Sequence, residues 1–126
     1  MKYHNITKDD MLNGDGLRVV LWVSGCSHHC KNCQNPITWD PEDGLEFDTS
    51  AVLEIFEELK KDHISGVTFS GGDPLFIDNR SKVLVTASSI NSWFPNKSVW
   101  LYTGYTWEAI KDIPGLEIVD VIVEGP

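Results

Sequence analysis

Four short, β-branched apolar runs in this chain are each followed within two residues by a glycine, and the stretches between them carry helical spacing. Leu17–Ser24, "LRVVLWVS", is almost wholly apolar, as a strand buried on both faces is. Gly66–Ser70, Ser98–Thr103 and Ile118–Val123 read as three more strands. Between the first two, Thr49 and Ser50 offer a helix cap, and Val52, Leu53, Phe56 and Leu59 recur at helical spacing. Lys60 and Lys61 follow where the helix dipole favours cations. Ser81–Trp93 is helical by Leu84, Ala87, Ile90 and Trp93 and is stopped by Pro95, and Thr106–Lys111 is a short helix.

A strand followed by three helix–strand units predicts an α/β fold. Consecutive strands joined by helices are nearly always parallel with right-handed crossovers. The expected architecture is therefore a sheet or partial (β/α) barrel of parallel strands with helices on its outer face. All four strands then end on one edge, where parallel α/β folds bind ligands. Gly25-Cys26, Gly71-Gly72-Asp73-Pro74, Gly104-Tyr105 and Gly125-Pro126 are expected to converge there.

The 126 residues are one domain's length, and we read residues 1–126 as a single domain. Met1–Asp10 has no apolar run, and no stretch approaches the roughly 18 apolar residues of a membrane span. A soluble, cytoplasmic protein without membrane association is the expectation. The formal net charge is −9, with scattered Lys and Arg, so a phosphate backbone would be repelled and no nucleic-acid partner is expected. The acidic segment Asp40–Asp48 reads as a surface loop.

All three cysteines, Cys26, Cys30 and Cys33, lie in "GCSHHCKNCQNP" at the spacing C-x3-C-x2-C. An odd number of thiols in a chain without a secretory signal argues against a disulfide framework. Structural zinc wants four ligands and would have to recruit His28, His29, His4 or His63. Three inert buried thiols are a further alternative, against which stands their clustering among polar residues. An iron–sulfur cluster fits the spacing, because steps of four and three residues bring three sulfurs to one side. A [4Fe-4S] cluster normally takes four cysteines. With three in the whole chain, one iron is left without a thiolate and open to a substrate, as an open position marks catalytic metals.

At these residues the chain resembles the radical S-adenosylmethionine enzymes. Further stretches are similar to one subgroup, the activating proteins of anaerobic ribonucleoside-triphosphate reductase. "LRVVLWVSGCSHHCKNCQN" resembles that family's first strand and cluster loop, "FSGGDPL" its glycine motif, "LYTGYTWE" its third strand and turn, and "VDVIVEGP" its last strand. The similarity runs in order from about Gly14 to the end.

The resemblance implies a fold of radical S-adenosylmethionine type and an oxidoreductase activity. In the family, S-adenosylmethionine chelates the open iron, and reductive cleavage yields a 5′-deoxyadenosyl radical. That radical removes a hydrogen from a glycine of the partner reductase's large subunit, with electrons from an external donor such as flavodoxin. By position, Cys26, Cys30 and Cys33 would hold the cluster. Gly71, Gly72 and Asp73 would bind the cofactor at its methionyl end, and the chain at Asn32, Cys33 and Gln34 would lie by its adenine. No side-chain acid or base is required, since the cofactor carries the chemistry. Glycine suits its assigned place because only residues without a Cβ let main-chain groups approach a bulky ligand.

Tyr102, Tyr105, Trp100 and Trp107 are candidates either to line the site or to fill the core. The chain departs from the family pattern at Asp15 within Gly14-Asp15-Gly16 and at Gln34. It also ends at Pro126 directly after a strand, where the family continues, so a C-terminal truncation relative to the family is expected. Two alternatives stay open: an activase of another glycyl-radical enzyme of the pyruvate formate-lyase type, and a non-catalytic zinc or iron–sulfur binding module.

Overall fold

The computed structural model describes residues 1–25 and 44–124. The elements run β1 (Lys2–Asp10), β2 (Leu17–Val23), β3 (Leu45–Glu46), α1 (Thr49–Leu59), β4 (Ile64–Gly71), α2 (Ile77–Trp93), β5 (Ser98–Tyr102), α3 (Trp107–Ile110), a 3-10 turn at Leu116–Ile118 and β6 (Val121–Val123). Among the described residues the strands form one mixed sheet in the order β3-β1-β2-β4-β5-β6.

The four expected strands are present and parallel, β2 to β4, β4 to β5 and β5 to β6. The expectation of an all-parallel sheet is corrected by β1, which runs antiparallel to β2 and to β3. The reason is chain length: Met11–Gly16 alone joins β1 to β2, and a parallel crossover needs about a dozen residues or more. Leu45–Glu46, read as part of a surface loop, pairs with Lys2 and Tyr3. The last strand is shorter than expected, because Leu116–Ile118 turns as a 3-10 helix before β6 begins.

Alternation along the strands sorts two faces. Val19, Leu21 and Val23 of β2, Val67 and Phe69 of β4, and Val99 and Leu101 of β5 share one core with α1 (Ala51, Ile55, Leu59) and α2 (Val83, Leu84, Ala87, Ile90). Both long helices therefore cover the same face, as successive right-handed crossovers require. The opposite face carries Arg18, Val20 and Trp22, then Thr68 and Ser70, then Ser98, Trp100 and Tyr102.

Arg18 is fully buried on that second face near the amino ends of the parallel strands. Its Nε donates to Thr68 Oγ1 at 2.8 Å, Nη1 to Asp15 O at 3.0 Å and Ser98 Oγ at 2.9 Å, and Nη2 to Val67 O at 2.9 Å and Ser98 O at 2.8 Å. The guanidinium also lies 5.5 Å from the Trp100 ring centroid. Burial pushes its pKa below the ordinary arginine value, partly offset by Asp15, Asp120 and Tyr102.

Two helix starts differ from expectation. Asp48 caps α1 in place of Thr49 or Ser50: its backbone is extended, and its carboxylate accepts from Ala51 N at 3.1 Å. Helix α2 begins at Ile77, ahead of Ser81, without a side-chain cap on its first turn. Trp93 does end α2 but is 74% exposed, so it is no part of the core stripe. Within the described residues, no helix is long and apolar enough to cross a membrane.

Candidate functional site

The carboxyl ends of the parallel strands are held together by main-chain bonds that leave regular pairing. Gly72 N donates to Val23 O at 2.8 Å and Asp73 N to Gly25 O at 2.6 Å, which ties the end of β4 to the segment leaving β2. Thr103 N donates to Val123 O at 3.0 Å, which ties β5 to β6. Gly25, the Gly71–Pro74 turn and Gly104 thus meet at one edge, while Cys26, Gly125 and Pro126 of the expected loops lie outside the described residues.

Between these ends lies a cleft of about 270 Å³, close to the lower end of small-ligand sites, roughly 300 Å³. Ser70, Gly71 and Gly72 line it from β4, Tyr102, Thr103 and Gly104 from β5, and Val123 and Glu124 from β6. Glu124 also accepts a hydrogen bond from Trp107 N. Of the four aromatic candidates, Tyr102 alone lines this cleft. Trp100 packs on Arg18, Tyr105 packs on the core, and Trp107 is exposed beside β6.

The glycine turn is shaped by packing before any ligand is considered. Gly71 has φ +105°, and a Cβ there would lie 2.6 Å from Val23 O and 2.7 Å from Val23 N. A side chain would force β4 away from β2. The same bareness exposes main chain at Gly71 and Gly72 to the cleft, which suits a ligand recognised through N–H and C=O groups.

Asp73, the third residue of the motif, is fully buried and is not among the residues lining the cleft. Its carboxylate accepts from Leu75 N at 2.9 Å, from Thr103 Oγ1 at 2.8 and 3.1 Å, and from Gly104 N at 2.9 Å. Donors from two segments of the chain thus converge on this one carboxylate. Asn79, in the first turn of α2, is 1% exposed and donates from Nδ2 to Ser24 O at 2.7 Å and Asp73 O at 3.1 Å. Sequence reasoning missed Asn79 and Thr103, because their partners are distant in the chain and neither residue carries a periodic signal.

The candidate ligands Cys26, Cys30 and Cys33, with Asn32, Gln34, His28 and His29, lie outside the described residues. Both flanks of that segment are described. Ser24 and Gly25 leave β2 at the cleft edge, and the chain re-enters at Gly44. A Cβ at Gly44 would collide with Tyr3 O and approach Ser24 Oγ to 3.0 Å. The two described flanks, Ser24 and Gly44, therefore lie side by side.

Of the histidines weighed as a fourth zinc ligand, His63 precedes β4, at the end of that strand away from the cleft, and its Nε2 lies 3.0 Å from Asp9 Oδ1. His4 sits at the irregularity of β1 between Tyr3 and Asn5, opposite Val23 and Trp22, and its buried Nε2 has no hydrogen-bond partner among the described residues. Among the described residues no group of three or more His, Cys, Asp or Glu could hold a metal ion.

Comparison with known proteins places this site in a family. The family described as "4Fe-4S single cluster domain" matches residues 12–126. A protein of Enterobacteria phage T4 is 43% identical over 125 residues, covering 99% of this chain and 80% of the relative. One from Vibrio cholerae is 38% identical over 129 residues, covering 99% and 83%. One from Escherichia coli (strain K12) is 33% identical over 129 residues, covering 99% and 84%. Each of the three is named anaerobic ribonucleoside-triphosphate reductase-activating protein. With identity at this level across almost the whole chain, the chain belongs to the family of anaerobic ribonucleoside-triphosphate reductase-activating proteins, with a 4Fe-4S single cluster domain.

Proposed function

We propose that this chain, acting as one domain, is a radical S-adenosylmethionine activase that installs a glycyl radical on the large subunit of anaerobic ribonucleoside-triphosphate reductase. The observation that carries the reading is the junction of the glycine turn with the flank of the cysteine segment, Asp73 N to Gly25 O at 2.6 Å and Gly72 N to Val23 O at 2.8 Å. It sets a bare main-chain turn beside the residue that precedes Cys26. The face of the sheet opposite α1 and α2 is the inner surface of a partial barrel in this reading, with the cleft at its carboxyl end.

Cys26, Cys30 and Cys33 would hold three irons of a [4Fe-4S] cluster, and the chain has no fourth cysteine for the remaining one. Gly71 and Gly72 receive the methionyl end of S-adenosylmethionine through their main chain, and Asp73 keeps that turn in place. Asn32 and Gln34, flanking Cys33, border the adenine. When bound, the cluster and S-adenosylmethionine would supply the one-electron chemistry and the hydrogen abstraction. The chain's own work is to bind and to orient them. Electrons come from an external donor such as flavodoxin, and the setting is the cytoplasm.

Anaerobic reconstitution with iron and sulfide, followed by dithionite and S-adenosylmethionine, tests this. The expected product is 5′-deoxyadenosine, lost in Cys30→Ala, and a glycyl-radical signal appears when the reductase is added. Stoichiometric zinc with no cubane spectrum would overturn it.

A further inference from the structure

We propose that Asn79 is the positioning residue that sets the glycine turn against the flank of the cysteine segment. The inference rests on the reading above and adds to it a residue outside every motif used there.

Asn79 sits in the first turn of α2, on the covered side of the site, and has no place on the cleft wall. Its side-chain amide has two N–H donors, and both are used. One reaches Ser24 O at 2.7 Å, directly before Gly25, and the other reaches Asp73 O at 3.1 Å, directly after the Gly71-Gly72 pair. A single planar group thus spans the two segments assigned to the cluster and to S-adenosylmethionine. Because both partners are carbonyls, the orientation of the amide is fixed, and a carboxylate in its place would face two acceptors.

Asn79 is itself held from below. Its main-chain N–H donates to Phe76 O at 2.8 Å, and Phe76 N donates to Asp73 O at 3.0 Å, so α2 starts as a continuation of the turn it braces. Asp73 then carries the brace across to β5 through Thr103 Oγ1 and Gly104 N. The mutual placement of Ser24, the glycine turn and the β5 end is therefore built into the protein fold, ahead of cofactor binding. Preorganisation of this kind appears in ligand affinity, because no ordering of the turn remains to be done on binding.

The test uses the full chain, anaerobically reconstituted, in wild-type, Asn79→Ala and Asn79→Asp forms. Arg18→Lys, at the far end of the sheet, serves as a control that weakens the fold away from the site. Three quantities are read: iron and sulfide content, the thermal midpoint of the apoprotein, and S-adenosylmethionine affinity per loaded cluster. Affinity is taken from the titrated change in the reduced cluster's paramagnetic spectrum. Both Asn79 variants are expected to load cluster and to bind S-adenosylmethionine about tenfold more weakly, the scale of a lost buried hydrogen bond. Arg18→Lys is expected to lower the midpoint with unchanged affinity.

Should Asn79→Ala or Asn79→Asp fail to fold, Asn79→Ser, which removes the amide and keeps a small hydroxyl donor in its place, decides. Wild-type affinity in the Asn79 variants, or an equal loss in Arg18→Lys, would overturn the positioning role and leave the proposed function standing. A wild-type cluster that does not respond to S-adenosylmethionine would overturn the proposed function itself.

Discussion

Gly71, Asp73 and Arg18 show how single residues are committed before chemistry begins. At Gly71, an added methyl group meets Val23 O at 2.6 Å with φ at +105°, so Gly71→Ala is expected to cost about 1–3 kcal/mol in chemical unfolding. Arg18 makes five hydrogen bonds from full burial, and a lysine offers one point of charge in place of a planar fork. Arg18→Lys is therefore expected to lose about 3 kcal/mol, read as a lower urea midpoint at unchanged slope. The cysteines and the glycine pair were legible in the sequence because local spacing carries their meaning. Arg18 and Asn79 were not, since Thr68, Ser98 and Ser24 become their partners only when distant segments fold together.

Strand β1 is an element that local pattern conceals. Of its residues, Ile6 alone is buried, and register shifts between Tyr3 and Asn5 and between Thr7 and Asp10 break the two-residue alternation that would announce a strand. Main-chain pairing on both sides holds it instead, helped by the bond from Trp22 Nε1 to Thr7 Oγ1 at 2.6 Å. Strand β2 was legible because burial on both faces leaves a nearly continuous apolar run.

Tyr3 tests the anchoring of β1. Its phenol packs edge-on against Phe47 at 5.8 Å, and burial raises its pKa above 10, helped by Glu54 and Asp48. The neutral form is favoured in the fold, so the unfolded chain loses this proton first as pH rises. Stability contributed here is intact below pH 10 and falls as pH climbs past it. Melting curves between about pH 9 and 11 should therefore show a shallower loss in Tyr3→Phe than in wild type. The cap of α1 is a second element-level case: Asp48→Ala removes the acceptor for Ala51 N and should lower stability by about 1 kcal/mol in thermal melts.

Across the whole molecule, the two ends of the parallel sheet do different work. Arg18 and its carbonyl partners close the amino ends, while the carboxyl ends gather the glycine turn and the β5 end around a cleft, with Gly25 bonded to that turn. Strand-and-glycine order foretold that gathering. It could not foretell the lock itself: Asp73 reads as a cofactor contact and Thr103 as the end of a strand, and Asn79 carries no signal until Ser24 and Asp73 are brought to it.

In the proposed function, three thiolates leave one iron of the cluster for S-adenosylmethionine. Mössbauer spectra of the protein loaded with ⁵⁷Fe, recorded with and without S-adenosylmethionine, test it most directly. About one quarter of the iron signal is expected to shift to a higher coordination environment on addition, with the remainder unchanged. Spectra that are identical in the two states, with every iron already ligated by the protein, would contradict it.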